Sequence, residues 1–479
     1  MPELLIGGRN GQCVRMNAAL GNRHGIITGA TGTGKTISLQ ILAEGFSRIG
    51  VPVFMTDIKG DLSGIAGAGQ MSAGIRTQLQ NIGLEPFVFQ TNSTVFWDVF
   101  GQNGHPLRTT ISDMGPLLLS HVLQLNETQT GVLYSAFRIA DDNGLLLLDL
   151  KDLRALLSWM SVSGKPLRRE YGGFSSASVG AIQRRLLILQ EQGAEHFFAE
   201  PALELGDLLK TDFSGNGVIG LLDATVLSRR SPHLYAALLL WLLSDLFETL
   251  PEVGDADRPR LVLFFDEAHY LFNKTPQALV DKIEQIVRLI RSKGVGVFFI
   301  SQNPMDIPET ILGQCGLKIQ HGLRAYTPKD KKNIKAIAQT FRSNPAIDTE
   351  TAITRLQTGE ALVSVLNADG SPAPVERIFI RPPQSKIGPI DDPSRHELLS
   401  RSPFQGRYES IIDRESAYER LQQRAEQKTG ATGPQSHTRT SRNRESIAEA
   451  LLKSVARSMG RQIGRQLVRG ILGSLLGRR

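Results

Sequence analysis

Short apolar runs alternate with stretches of helical periodicity along most of this chain, and their order predicts its architecture. Residues 4–6 and 12–16 flank a glycine-rich turn at 7–11, the pattern of a β-hairpin. Residues 25–28 form a brief buried strand that runs into a glycine loop. Apolar positions then recur at helical spacing over 37–49, Gly50 stops the helix, and 51–56 is a second buried strand. A strand, a loop, a helix and a strand in that order open a doubly wound parallel sheet of the α/β class.

Between residues 104 and 212 the period changes. Leucine-rich helical segments at 111–123, 129–140, 151–160 and 177–190 are joined by short polar turns, which predicts a helical subdomain inserted into the sheet domain. Residues 217–222 return to strand, and 233–248 form a helix apolar nearly all round and therefore buried. Three more strands follow at 261–265, 296–300 and 317–320, and a hairpin at 361–366 and 375–380, split by a turn at 367–370, closes the domain. Pro382 and Pro383 predict an exit from the fold, followed by a helical piece near 408–424 and a polar linker at 426–443. The expected division is a core at 1–103 and 213–380, a helical insertion at 104–212, and a basic tail at 381–479.

Composition narrows this picture. The 479 residues, 41% of them hydrophobic, suit two or three domains with a sizeable core. Cys13 and Cys315 are the only cysteines, which excludes a disulfide framework or a cysteine zinc cluster and points to a reducing cytoplasm. No charged region followed by an apolar stretch opens the chain, so no secretory signal is expected. The longest apolar run, residues 234–243, has ten residues, about half of what a bilayer span needs.

The net charge of +7 is concentrated in the tail, where residues 381–479 hold 19 Lys and Arg against 10 Asp and Glu. Residues 446–476 repeat apolar side chains at helical spacing, and Arg457, Arg461, Arg465 and Arg469 form a basic stripe opposite them. A partner or self-association helix, a helix lying on an anionic membrane surface, and a nucleic-acid contact are all open for this segment.

The chemistry is concentrated in two places. Gly29, Ala30, Thr31, Gly32, Thr33, Gly34, Lys35 and Thr36 match G-x-x-x-x-G-K-[ST], with a strand before and a helix opening at Ile37 after. Glycines there let backbone N–H groups wrap phosphate oxygens, Lys35 reaches the β- and γ-phosphates of ATP, and the Thr36 hydroxyl ligates Mg2+. Five apolar residues, 261–265, end in Asp266 and Glu267. A buried strand delivering Asp266 to the sheet edge supplies the second magnesium ligand, and Glu267 is placed to activate the attacking water as general base.

Supporting groups follow from position. The strand at 297–300 ends in Ser301 and Gln302, and Gln302 is the candidate sensor of the γ-phosphate. Positive charge on the developing phosphoryl group is often supplied by a neighbouring subunit. Arg288, Arg291 and Arg324 are candidates, with Arg291, at the end of the predicted helix 279–291, the best placed to project from a subunit edge. Asp57 and Lys59 follow the second strand and either support the magnesium water shell or couple to a moving loop. No guanine-reading Asn-Lys-x-Asp motif occurs, which favours ATP.

With these residues in hand, the chain resembles the HerA/FtsK superfamily of ring-forming ATPases, and within it the HerA-like bacterial proteins of the YjgR type. The matching stretches are 22–36, 56–64, 265–269, 299–304, 323–328 and 464–477. The resemblance implies a RecA-like (ASCE) P-loop NTPase core, hexameric rings with the ATP site between subunits, a glutamine sensor at Gln302 and an arginine finger at Arg291. HerA translocases proper carry a β-barrel ahead of the P-loop, whereas 28 residues precede Gly29 here, so an end-resection role with a nuclease docked through that barrel is not expected. The expected function is a DNA-translocating or helicase-like motor. A motor that moves protein, as in secretion and conjugation, and a nucleotide-gated assembly protein are the alternatives.

Overall fold

The computed structural model describes residues 2–162, 164–254, 256–273 and 277–430. The amphipathic segment 446–476 lies outside the described residues. Strands β1 (Glu3–Arg9) and β2 (Gln12–Asn17) form an antiparallel hairpin closed by Asn10 and Gly11 alone. Both turn residues have positive φ, 51° and 83°, as a two-residue type I′ turn requires. Pairing therefore runs through Gly7 and Gly8, which the pattern assigns to the turn. A Cβ at Gly7 would run into the Phe379 carbonyl, so glycine there allows close strand approach rather than a bend.

Next come β3 (Gly25–Thr28), α1 (Lys35–Arg48), β4 (Val53–Asp57), α2 (Ala73–Ile82), β5 (Thr94–Asp98) and the short β6 (His105–Pro106). Five helices follow: α3 (Ile111–Val122), α4 (Glu127–Asp142), α5 (Leu150–Val162), α6 (Gly164–Tyr171) and α7 (Ser176–Glu191). The chain then returns to the sheet through β7 (Ile219–Asp223), α8 (Thr225–Arg230), α9 (Pro232–Thr249), β8 (Leu261–Phe265), α10 (Gln277–Ile290) and β9 (Val295–Ser301). After α11 (Glu309–Leu312) and β10 (Leu317–Gln320) come α12 (Pro328–Gln339), α13 (Thr349–Arg355), β11 (Glu360–Ser364), β12 (Glu376–Ile380), α14 (Asp392–Ser400) and α15 (Ala417–Gly430).

Among the described residues, twelve strands join one sheet in the order β2-β1-β12-β11-β10-β3-β9-β8-β4-β7-β5-β6. Pairing is parallel from β10 through to β6 and antiparallel across β2, β1, β12, β11 and β10. The central strands are buried on both faces, which is why they read as continuous apolar runs rather than alternating ones. Phe264 and Phe298 pack with α1 residues such as Leu42 and Phe46 on one side. Phe265 and Phe299 face the other, where helices α3–α7, α9 and α10 share a single core. Among the described residues no helix is long and apolar enough to cross a membrane.

Pro382 and Pro383 do not end the fold. Glu44 on α1 is fully buried and accepts hydrogen bonds from Ser385 N at 2.8 Å, Ser385 Oγ at 2.6 Å, Gln384 N at 3.1 Å and Arg381 Nη2 at 3.3 Å. Farther on, the Phe404 and Tyr408 rings lie 5.6 and 5.3 Å from that of Trp97, and α15 packs on α5. The helix expected near 408–424 begins only at Ala417. Tyr408 sits in non-helical chain, its hydroxyl donating to Asp207 Oδ2 at 2.5 Å.

Removing one member of a buried ion pair leaves the other charge uncompensated. Glu44→Ala is therefore expected to destabilise the protein by about 3–5 kcal/mol. Urea melts check it, and a loss below about 1 kcal/mol would show that the 381–385 segment is anchored by something else.

Candidate active site

The parallel register aligns the C-terminal ends of the central strands. Thr28 of β3 pairs with Ser301 of β9, Phe299 of β9 with Phe265 of β8, and Asp57 of β4 with Asp223 of β7. Gly29, Gln302 and Asp266 each follow directly on the last residue of their strands, so all three emerge along one sheet edge. Neighbouring strands lie about 4.8 Å apart, and β9 alone separates β3 from β8.

The loop from Gly29 to Thr36 is built on glycine conformations. Gly29, Gly32 and Gly34 have φ of 151°, 77° and 118°, a region that L side chains rarely adopt. Gly34 caps α1 without a side-chain hydrogen bond, which leaves the first-turn amides of Lys35, Thr36 and Ile37 to an anion. Beneath the loop, Ala30 N donates to Gly322 O at 3.0 Å. The His321 ring bridges Ser38 Oγ at 2.8 Å and the Glu360 carbonyl at 3.1 Å, and burial holds that imidazole neutral, its pKa lowered to about 4. The Lys35 ammonium folds back over the loop, donating to Gly29 O at 2.7 Å and Ala30 O at 3.1 Å. Burial, then the nearby Lys59 charge, lower its pKa, and Glu267 and Asp266 oppose them.

Asp266 and Glu267 stand opposite. Asp266 N donates to Thr56 Oγ1 at 3.1 Å, and Tyr235 OH donates to the same oxygen at 3.0 Å, so β4 and α9 fix where the acidic pair leaves the sheet. Burial pushes Asp266 up to about 7, against the pull of Lys59. A divalent cation offsets that penalty, and the donor set of a carboxylate with the Thr36 hydroxyl consists of hard oxygens suited to Mg2+.

Glu267 is the more constrained acid. Its φ is 46°, an uncommon conformation for a non-glycine residue and one enriched at functional sites. Lys59 Nζ lies 2.7 Å from its Oε1, Gln302 Nε2 donates to the same oxygen at 3.2 Å, and His269 Nδ1 is 3.3 Å from Oε2. Burial works against the charge, but His269 and Lys59 outweigh it and hold Glu267 down at about 2. Glu267 in turn raises the His269 imidazole.

The Asp57 carboxylate accepts N–H groups from Lys59, Gly60, Asp61 and Leu62 at 3.2, 2.6, 3.3 and 3.0 Å. It holds its own loop rather than facing outward. His269, His321 and Thr56 are the neighbours the sequence reading does not assign. His269 stands two residues beyond Glu267 in a stretch quoted for the resemblance, but its pairing is visible only in three dimensions.

The arginines divide. Arg291 precedes the first residue of β9, at the opposite edge of the sheet from Gln302, and a strand of seven residues puts it roughly 20 Å from its own loop. It shares a hollow of about 480 Å³ with Arg23, Lys318 and Arg342. Arg288 faces a separate hollow beside Asp281 and Glu284. Arg324 lies exposed beyond β10, on the same edge as the glycine loop, with Nη1 3.4 Å from Tyr326 OH. One copy thus brings together the 29–36 loop, Lys59, Asp266, Glu267 and Gln302, but not Arg291.

The chain matches the helicase HerA-like C-terminal family over residues 3–441 and again over 428–479. A segment of 99 residues, 20% of the chain, is 34% identical to the DNA double-strand break repair helicase HerA of Sulfolobus acidocaldarius. The match spans 19% of that relative. Among solved structures, the unbound bacterial conjugative coupling protein TrwBΔN70 is similar with a TM-score of 0.52 and 14% identity, over 80% of this chain and 91% of that one. VirB4 of Thermoanaerobacter pseudethanolicus is similar with a TM-score of 0.50 and 18% identity, over 82% of this chain and 98% of that one. At such identities the likeness is one of fold, that of RecA-like P-loop NTPases.

Proposed function

The chain belongs to the helicase HerA-like C-terminal family, and from that premise we propose that it is an ATP-hydrolysing ring motor of the HerA/FtsK type that works on DNA. The observation that carries this reading is the convergence of the 29–36 loop, Asp266, Glu267 and Gln302 at the ends of three neighbouring parallel strands. The amides of residues 29–37 cradle the ATP phosphates, and Lys35 leaves the carbonyls of Gly29 and Ala30 to reach them. Thr36 and Asp266 hold Mg2+, which supplies charge neutralisation at the phosphates. Glu267 takes the proton of the attacking water, and Gln302, already hydrogen-bonded to Glu267, links that group to the γ-phosphate.

Arg291 lies too far from its own loop to serve it and is assigned to the ATP of a neighbouring copy. That assignment requires a ring, taken here as a hexamer. Arg324, on the loop's own edge, is the second candidate for a phosphate contact. DNA is preferred as the track because the matched relative is a DNA repair helicase.

Duplex DNA is expected to raise the steady-state ATPase rate several-fold, with the gain shrinking as salt rises from about 50 to about 200 mM. A rate indifferent to both duplex and single-stranded DNA would remove DNA as the track and favour a protein-moving motor or a nucleotide-timed assembly role.

A further inference from the structure

The loop between β4 and α2 carries a second feature of the site. Four backbone N–H groups, those of Lys59, Gly60, Asp61 and Leu62, converge on the Asp57 carboxylate, and Gly60 supplies the positive φ of 82° that the tight bend needs. The backbone at Lys59 is therefore fixed, and its side chain is directed back across β4 towards the end of β8. There the ammonium meets Glu267 at 2.7 Å.

Both carboxylate oxygens of Glu267 are consequently engaged or closed off. Oε1 carries Lys59 and Gln302, filling its two in-plane acceptor positions. Oε2 is buried without a hydrogen-bond partner, His269 Nδ1 lying 3.3 Å away. A general base must present a free lone pair to the water it deprotonates; in this arrangement Oε1 has none to spare and Oε2 is shut away from solvent. Lys59 is the partner best able to leave. Its side chain is 37% exposed, and its charge also senses Lys35, Asp266 and Asp61. Gln302 and His269, by contrast, are mounted on the end of β9 and on the turn after β8.

We propose that Lys59 is a latch on the general base: a positioning residue that holds Glu267 unable to accept a proton until the ammonium moves away. The inference rests on reading Glu267 as that base. It predicts slow turnover without a track, set by the resting site rather than by weak ATP binding. Lys59 acts through Glu267, so its removal changes kcat and leaves the grip of the 29–36 loop on nucleotide unaltered.

The test compares Lys59→Met, Lys59→Gln and Lys59→Arg in the full chain, without DNA. Methionine and glutamine keep the stem and lose the charge, and the bracket around Asp57 is made by backbone, so thermal melts should stay close to wild type. Basal kcat is expected to rise at least about threefold in both, with KM and the affinity for a fluorescent ATP analogue, measured with and without Mg2+, within about twofold. Lys59→Arg, which keeps an ion pair, should restore the low basal rate. A basal kcat unchanged or lowered in both uncharged variants overturns the latch. Glu267→Gln run alongside separates the two claims. If it still turns over like wild type, the reading of Glu267 as base fails. If it is inactive while Lys59→Met is no faster than wild type, only the latch fails.

Discussion

Replacing Glu267 by glutamine is expected to abolish ATP turnover while leaving nucleotide binding intact. Glutamine preserves the volume and one hydrogen-bonding oxygen but cannot take a proton from water. Loss of a positioned general base lowers the rate by about 10²–10⁴-fold. Binding is spared because the groups that meet the phosphates, the 29–37 amides and Lys35, hang on β3 and α1 and do not depend on residue 267. The substitution also leaves Lys59 and His269 facing an uncharged partner, so the His269 imidazole should return towards its ordinary range, since Glu267 is what raises it. Phosphate release and binding of a fluorescent ATP analogue check the two halves of the claim. A variant retaining more than about a tenth of wild-type turnover would show that another group activates the water.

The parts of this site that could be read in advance share a physical cause. Strands β3, β8 and β9 are buried on both faces, so each is a contiguous apolar run, and each gives way abruptly to a candidate site residue: Gly29, Asp266 or Gln302. Spacing alone locates them. The hidden parts depend on contacts between distant segments. Nothing local in Asp57-Ile58-Lys59 tells that the ammonium rests on Glu267, because that needs β4 beside β8, and adjacency of strands is set by the whole sheet. The same holds for Glu44, whose carboxylate binds the 381–385 segment that two prolines mark as an exit.

Other omissions have different roots. The residues of β5, Thr94–Asp98, include Thr and Asp at their ends and follow a polar stretch, so the run is short and poorly bounded. In the hairpin of β1 and β2 the expected turn is longer than the observed one because Gly7 and Gly8 look like turn residues. They are glycines for close approach of β12 and β2, which is a tertiary demand.

The position of Arg291 leads to the other large effect. A side chain ahead of the start of β9 cannot reach a phosphate at the end of the same strand, so any catalytic effect of Arg291 must act on another copy. Arginine fingers contribute about 10³–10⁵ in kcat where they have been removed, and Arg291→Ala is expected to lower turnover by about 10³-fold or more, with ATP affinity little changed. The geometry also fixes how two inactive variants behave together. Glu267→Gln copies keep the finger, and Arg291→Ala copies keep the base. Head-to-tail association of identical subunits around a ring sets the finger face of one copy against the nucleotide face of the next. In co-expressed mixed rings, a site on an Arg291→Ala copy regains full machinery when its neighbour is a Glu267→Gln copy. With random assembly at equal amounts about one interface in four has that composition, so turnover should recover to roughly a quarter of wild type if sites fire independently, far above either variant alone. Mixed preparations no faster than the mean of their parents would place the finger elsewhere. Near wild-type turnover by Arg291→Ala alone would transfer the role to Arg324, the candidate on the loop's own edge.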